Sequence, residues 1–144
     1  MSFSLPPVAK AAQTLAADIE RAVAKFPRAH RYVIGTDLRK RATDVVFLCN
    51  RAFRDAERRG EWLEKLKWKV DELKDTLHIG KQLSVFASFR QFEAIARQVA
   101  DVGRQVGGWH QQHHPKGQDG QARAPGQRAK TLSTRATSTY EVNL

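Results

Sequence analysis

The chain is predicted to be all-α: an up-down-up-down antiparallel four-helix bundle over residues 1–114, followed by a disordered basic tail over residues 115–144. Three observations predict it. Apolar residues recur three and four apart through most of the first part of the chain, the period of a helix with one buried face. No run alternates apolar and polar residues long enough to argue for a strand. The breaks between periodic segments are short, which favours antiparallel neighbours.

The first helix carries Val8, Ala12, Leu15, Ile19, Ala22, Val23 and Phe26 on one face. Pro6-Pro7 suits its start, and Pro27 disfavours helix at the preceding residue, so Phe26 ends it. The second runs from about Thr36 to Arg59, with Ile34, Leu38, Ala42, Val45, Cys49, Ala52, Phe53 and Ala56 as its stripe. Gly60 is placed to stop it in a left-handed conformation. The third begins near Glu61, buries Trp62, Leu63, Leu66, Val70, Leu73 and Leu77, and fades around Gly80 to Gln82. Ser88-Phe89-Arg90-Gln91 has capping-box form and opens the fourth helix, whose stripe is Phe92, Ile95, Ala96, Val99, Val102, Val106 and Trp109.

After His114 the composition changes. Residues 115–144 are rich in Gly, Pro, Ser, Thr, Gln and Arg, and bury too little apolar surface to offset the entropy of ordering. The single Cys49 rules out an intramolecular disulfide and suits a reducing, cytoplasmic setting. Residues 1–8 lack the basic and apolar regions of a signal peptide, and no stretch approaches the ~20 apolar residues of a membrane span. The expected location is the cytoplasm, with no membrane partner.

Charge is the strongest functional signal. Lys+Arg number 25 against 15 Asp+Glu, a net +10. The tail holds five of those cations and two acids, so the bundle itself is basic. On the fourth helix Arg90, Arg97 and Arg104 are spaced by seven, on the side away from the core stripe. Arg28, His30, Arg31, Arg39, Lys40 and Arg41 make the connection between the first two helices the densest basic stretch, and Arg51, Arg54, Arg58 and Arg59 end the second. A basic surface of this size fits a polyanion, held through phosphates and shape rather than by base reading. The candidate nucleic-acid-binding residues are therefore Arg28, Arg31, Arg39, Lys40, Arg41, Arg90, Arg97 and Arg104. Two other readings stand beside this one: solvated helix faces favoured near helix C-termini, and basic faces that meet acidic protein surfaces.

No catalytic apparatus is complete, so no enzyme activity, cofactor or metal is expected. His110, His113 and His114 could share a metal, but no carboxylate or thiol lies close in sequence to finish the set. Cys49 falls on the core stripe and reads as a small buried hydrophobe. Asp71 and Asp75 sit on a helix thick with lysines and read as salt-bridge partners. Gly103 and Gly107 share a helix face at a cost of about 1 kcal/mol each relative to Ala. They point to close approach of another helix, within the chain or between subunits.

Phe26-Pro27-Arg28-Ala29-His30-Arg31-Tyr32, the Leu66…Leu73…Leu77 helix and Val102-Gly103-Arg104-Gln105-Val106-Gly107-Gly108-Trp109 carry a resemblance over residues 8–112. The chain resembles the four-helix-bundle family that contains Avd, the accessory variability determinant of diversity-generating retroelements. Bacterial proteins encoded in intervening sequences of large-subunit ribosomal RNA genes belong to the same wider group, and the motifs are common to both. The resemblance implies a cyclic homopentamer with a basic surface. On the Avd side it implies binding to a reverse transcriptase and to RNA or DNA, in support of mutagenic cDNA synthesis and retrohoming. It assigns no catalytic residue; Phe26, Pro27 and Trp109 match as structural positions, and Arg28, Arg31 and Arg104 as basic ones.

Overall fold

The computed structural model describes residues 6–113; the expected tail lies outside them. The chain is all-α, a four-helix bundle. Its long helices are α1 (Pro7–Val23), α3 (Ile34–Arg54), α4 (Arg59–Gln82) and α5 (Phe89–His113), with a single-turn α2 (Arg28–Arg31) between the first two. The side-chain pairings give the direction of each neighbour. Glu20 meets Arg39 from α3, Arg41 meets Glu72, Asp44 meets Lys69, and Trp62 of α4 reaches Asp55 just past α3, so residue numbers run oppositely on facing helices. Between α4 and α5 the same holds for His78 with Phe92, Val70 with Gly103 and Glu64 with His110. Gln98 Nε2 donates to Asp18 Oδ2 at 2.9 Å and closes α5 against α1.

The predicted stripes are the core: Leu15, Ile19, Leu38, Val45, Leu63, Leu66, Leu73, Leu77 and Val99 are all buried, with Cys49 and Ala52 among them. Trp62, Ala96 and Trp109 are half-buried against that core, Phe53 is half-buried, and Ala56 is exposed in the α3–α4 connection. No helix among the described residues is long and apolar enough to cross a membrane.

Helix ends are where structure departs from expectation. α1 tightens after Val23, with Lys25 and Phe26 N–H groups bonding back three residues to Ala22 and Val23 at 3.0 Å. Phe26 therefore lies outside the helix yet is fully buried. Pro27 then accepts the N–H groups of His30 and Arg31 and starts α2, a turn too short to leave a periodic signature.

Gly60 does not stop the second long helix; it is the second residue of α4. α3 ends at Arg54 because Arg59 reaches back, its guanidinium donating to the Ala52 carbonyl at 2.7 Å and the Phe53 carbonyl at 3.0 Å. Those are the carbonyls a helix end leaves without intrahelical partners. Asp55 completes the corner by accepting from the Trp62 indole N–H at 2.9 Å and the Arg58 backbone N–H at 3.3 Å. These donors, led by the indole, hold the Asp55 carboxyl below its usual range.

α4 ends in a Schellman motif: Val85 N–H bonds to the Gly80 carbonyl and Ser84 N–H to that of Lys81. Ser84 takes the left-handed position, φ 57°, usually given to glycine. The capping box at α5 forms as expected on one side, with Gln91 N–H donating to Ser88 Oγ at 3.1 Å. Its return bond goes one residue further back than usual, from Ala87 N–H to Gln91 Oε1.

Two glycine sites separate close approach from open surface. A Cβ on Gly35 would lie 2.7 Å from Val23 Cγ1, so α1 and α3 meet there backbone to side chain. A Cβ on Gly103 would meet Val70 Cγ1 at an ordinary 3.5 Å, and one on Gly107 or Gly108 would meet no side chain or other helix within 4 Å. The expected close approach to Gly107 is not made within the described chain.

Two stability outcomes follow from these corners. Gly35→Ala gains about 1 kcal/mol of helix propensity, but pushes on a β-branched, fully buried Val23 whose overpacking costs about 1–3 kcal/mol. Its Tm should fall, and a rise in a thermal melt would contradict the close contact. Because the Asp55 pKa is depressed in the fold, its stabilisation is present above the unfolded carboxylate value of about 3.9 and is lost as pH falls through the lower folded value. The difference in unfolding free energy between wild type and Asp55→Asn should be constant from pH 7 to 5 and shrink below 4. A difference unchanged down to pH 2 would contradict the assignment.

Candidate nucleic-acid interface

The arginine spacing on α5 becomes a surface. Arg90 is exposed, and the side chains of Arg97 and Arg104 are 77% and 72% exposed. Phe92, Ile95, Val99, Val102 and Val106 fill the opposite side of the same helix, which fixes the rotation of α5 and aims the arginines at solvent. Arg97 lies 3.5 Å from Glu93 and Arg104 3.1 Å from Asp101. Exposed pairs of this kind are worth about 0–1 kcal/mol and are easily exchanged for a phosphate. Arg90 has no acidic partner among the described residues.

The basic stretch between α1 and α3 separates into two parts. Arg28 is exposed on α2 and has no partner among the described residues. Arg31, half-buried, donates from Nη2 to the Phe26 carbonyl at 3.2 Å and closes the corner. Arg39, Lys40 and Arg41 are already matched with acids. Arg39 lies 2.8 Å from Glu20 on α1, Lys40 3.3 Å from Asp44 one turn on, and Arg41 2.8 Å from Glu72 on α4. Arg39 and Arg41 are only about a third exposed and tie α3 to its two neighbours. Their charge is largely neutralised locally.

At the far end, Arg51, Arg58 and Lys65 surround the Trp62 ring at 4.9, 5.6 and 5.0 Å, and Arg59 is taken up by the α3 carbonyls. Arg54 stays exposed beside Phe47 and Asn50. The outward side of α4 is mixed in sign: Glu61, Glu64, Asp71, Glu72 and Asp75 are exposed around Trp68, and Lys65, Lys67 and Lys74 are exposed on the same helix. Asp71 and Asp75, expected as salt-bridge partners, make no ion pair among the described residues.

Cys49 is buried and free, and desolvation pushes its thiol up to about 12, which leaves no thiolate at neutral pH. His110 lies 3.1 Å from Glu64, while His114 is outside the described residues. Among the described residues no three His, Cys, Asp or Glu side chains are grouped to hold a metal ion.

Sequence reasoning passed over one cluster. Where α4 ends and α5 begins, Lys81, Ser84, Phe86, Ser88, Phe89 and Phe92 line a solvent-open cleft of about 270 Å³. Phe89 stands off the core stripe, three residues before Phe92, and that misfit is the signal that could have found it. The T-shaped contact of Phe26 with Phe86, centroids 5.2 Å apart, sets this cleft at the same end of the bundle as the α2 corner.

No family model, curated protein or solved structure matches the chain.

Proposed function

We propose that this protein is a non-enzymatic nucleic-acid-binding accessory protein, an Avd-like subunit that joins a reverse transcriptase and its template RNA in a diversity-generating retroelement. The reading is carried by the exposed Arg90–Arg97–Arg104 stripe on α5, in a chain of net +10. Arg28 extends the cationic surface at the α2 corner; Arg31, Arg39, Lys40 and Arg41 serve mainly to hold the fold and add to the long-range field. Such a surface grips phosphates and shape, so the specificity of the complex belongs to the polymerase partner and to RNA structure.

The family resemblance adds a homopentamer to this reading, and the single Cys49 suits a cytoplasmic setting. The uncovered backbone at Gly107 and Gly108 supports subunit contact, because it lets a neighbouring chain come close without displacing a side chain.

Changing Arg90, Arg97 and Arg104 together to Glu should abolish RNA binding in a mobility-shift assay while circular dichroism keeps its helical signal. Wild-type affinity should fall linearly in log salt, with a slope of about −0.7 per phosphate neutralised on single strands. Unchanged affinity in the triple variant would remove the stripe from the interface. The retroelement role is tested on the flanking DNA: a reverse-transcriptase frame beside near-identical repeats differing mainly at adenines is expected, and a ribosomal-RNA setting would contradict it.

A further inference from the structure

The cleft between α4 and α5 is built unlike the rest of the surface. Phe89, the first residue of α5, is 61% exposed, although the neighbouring Phe92 is buried and Phe86 is partly so. Their rings approach at 5.9 Å (Phe89–Phe92, tilted by 41°) and 5.5 Å (Phe86–Phe92). An aromatic wall thus runs from the core out to solvent and ends in an uncovered ring.

Lys81 leans over that wall, its Nζ 5.5 Å from the Phe89 ring and 5.3 Å from that of Phe92. Among the described residues no carboxylate pairs with Lys81 or with Arg90, the residue next to Phe89. Ser88 Oγ accepts from Gln91 N–H and keeps its own proton to donate, and the Ser84 hydroxyl has no partner among the described residues. The cleft combines an exposed aromatic ring, one lining cation, Lys81, and two hydroxyls, in a volume fit for one ring system rather than a large ligand, and Arg90 follows Phe89 directly outside its lining.

We propose that this cleft takes an unstacked base of a single-stranded nucleic acid, stacked on Phe89, with Lys81 and Arg90 on the flanking phosphates. The proposal rests on the nucleic-acid reading above and adds to it a site that distinguishes single strands from duplex. The choice of occupant follows from charge: an aromatic ring joined to a phosphate satisfies the ring and both cations at once, which a purely apolar side chain cannot. Stacking is tolerant of sequence because every base has a π-face, so the site gives strand preference rather than base preference. A paired base in a duplex cannot reach it, whereas the α5 arginines can grip either form.

The test compares a fluorescein-labelled oligouridylate with an RNA duplex of equal length by anisotropy, using wild type, Phe89→Ala and Phe89→Trp. Phe89 is exposed, so both variants should retain the wild-type helical signal. Phe89→Ala should weaken the single strand about 5- to 150-fold, the range for losing one stacked base. Duplex affinity and the salt slope should not move, and Phe89→Trp should bind the single strand at least as well as wild type. Wild-type affinity in Phe89→Ala would overturn the base site while leaving the arginine stripe standing. Equal loss on both RNAs would overturn it too, because Phe89 would then act through the stripe. A change in sedimentation of the free protein would assign the cleft to a neighbouring subunit instead. Failure of wild type to bind either RNA would remove the nucleic-acid reading itself.

Discussion

Phe26 is buried at a place where the chain is no longer helical, and the arrangement of the bundle depends on that burial. α1 has ended at Val23 and Pro27 turns the chain into α2, while the Phe26 ring stays in the core against Phe86. Arg31 donates to its carbonyl, and the missing side chain of Gly35 leaves room for Val23 and Phe26 beneath α3. One side chain thereby fixes the α1–α3 corner and presses it on the α4–α5 corner. Removing a buried Phe of this kind costs about 3–5 kcal/mol, a large share of the 5–15 kcal/mol that holds a domain of this size together. The two corners that border the base cleft are held in place by the same contact.

Charge is arranged over this frame by a simple rule. Arginines that face another helix are matched: Arg39 with Glu20, Arg41 with Glu72. Those that face solvent on α5 are weakly paired within one turn or not at all. Since an exposed ion pair contributes about 0–1 kcal/mol, releasing Arg97 from Glu93 or Arg104 from Asp101 offers little resistance to a phosphate. Releasing Arg39 or Arg41 would loosen interhelical ties and strand acids beside them. Total charge therefore overstates the usable surface, and position decides which cations are available. On α4 the exposed acids are interleaved with Lys65, Lys67 and Lys74, so that helix has no cationic stripe like that of α5.

Much of this was legible in the residues. The stripes of α1, α3, α4 and α5 have the helical period, and the Ser88–Gln91 cap sits where the sequence places it. Helix ends were less legible because their partners act through space. Gly60 has the composition of a stop signal, but α3 is closed by the Arg59 guanidinium, and the left-handed position after α4 is taken by Ser84. The pairing of Arg39 and Arg41 was invisible for the same reason: Glu20 and Glu72 lie on other helices, so a run of three cations reads as free charge. Lys81 and Phe89 were missed because neither belongs to a repeat, and only the turn between α4 and α5 brings them together.

On the proposed reading nucleic acid lies on the α5 arginine face and the adjoining end of the bundle, where Lys81 ends α4, and away from the Trp68 side of α4. A ¹⁵N-resolved NMR titration of the protein with oligouridylate reads that placement residue by residue. Amide shifts concentrated at Phe89, Arg90, Arg97 and Arg104, with Arg28 at the neighbouring corner and Glu61, Trp68 and Asp75 unmoved, are the predicted result. Shifts centred on the outward face of α4, with the α5 arginines silent, would contradict it.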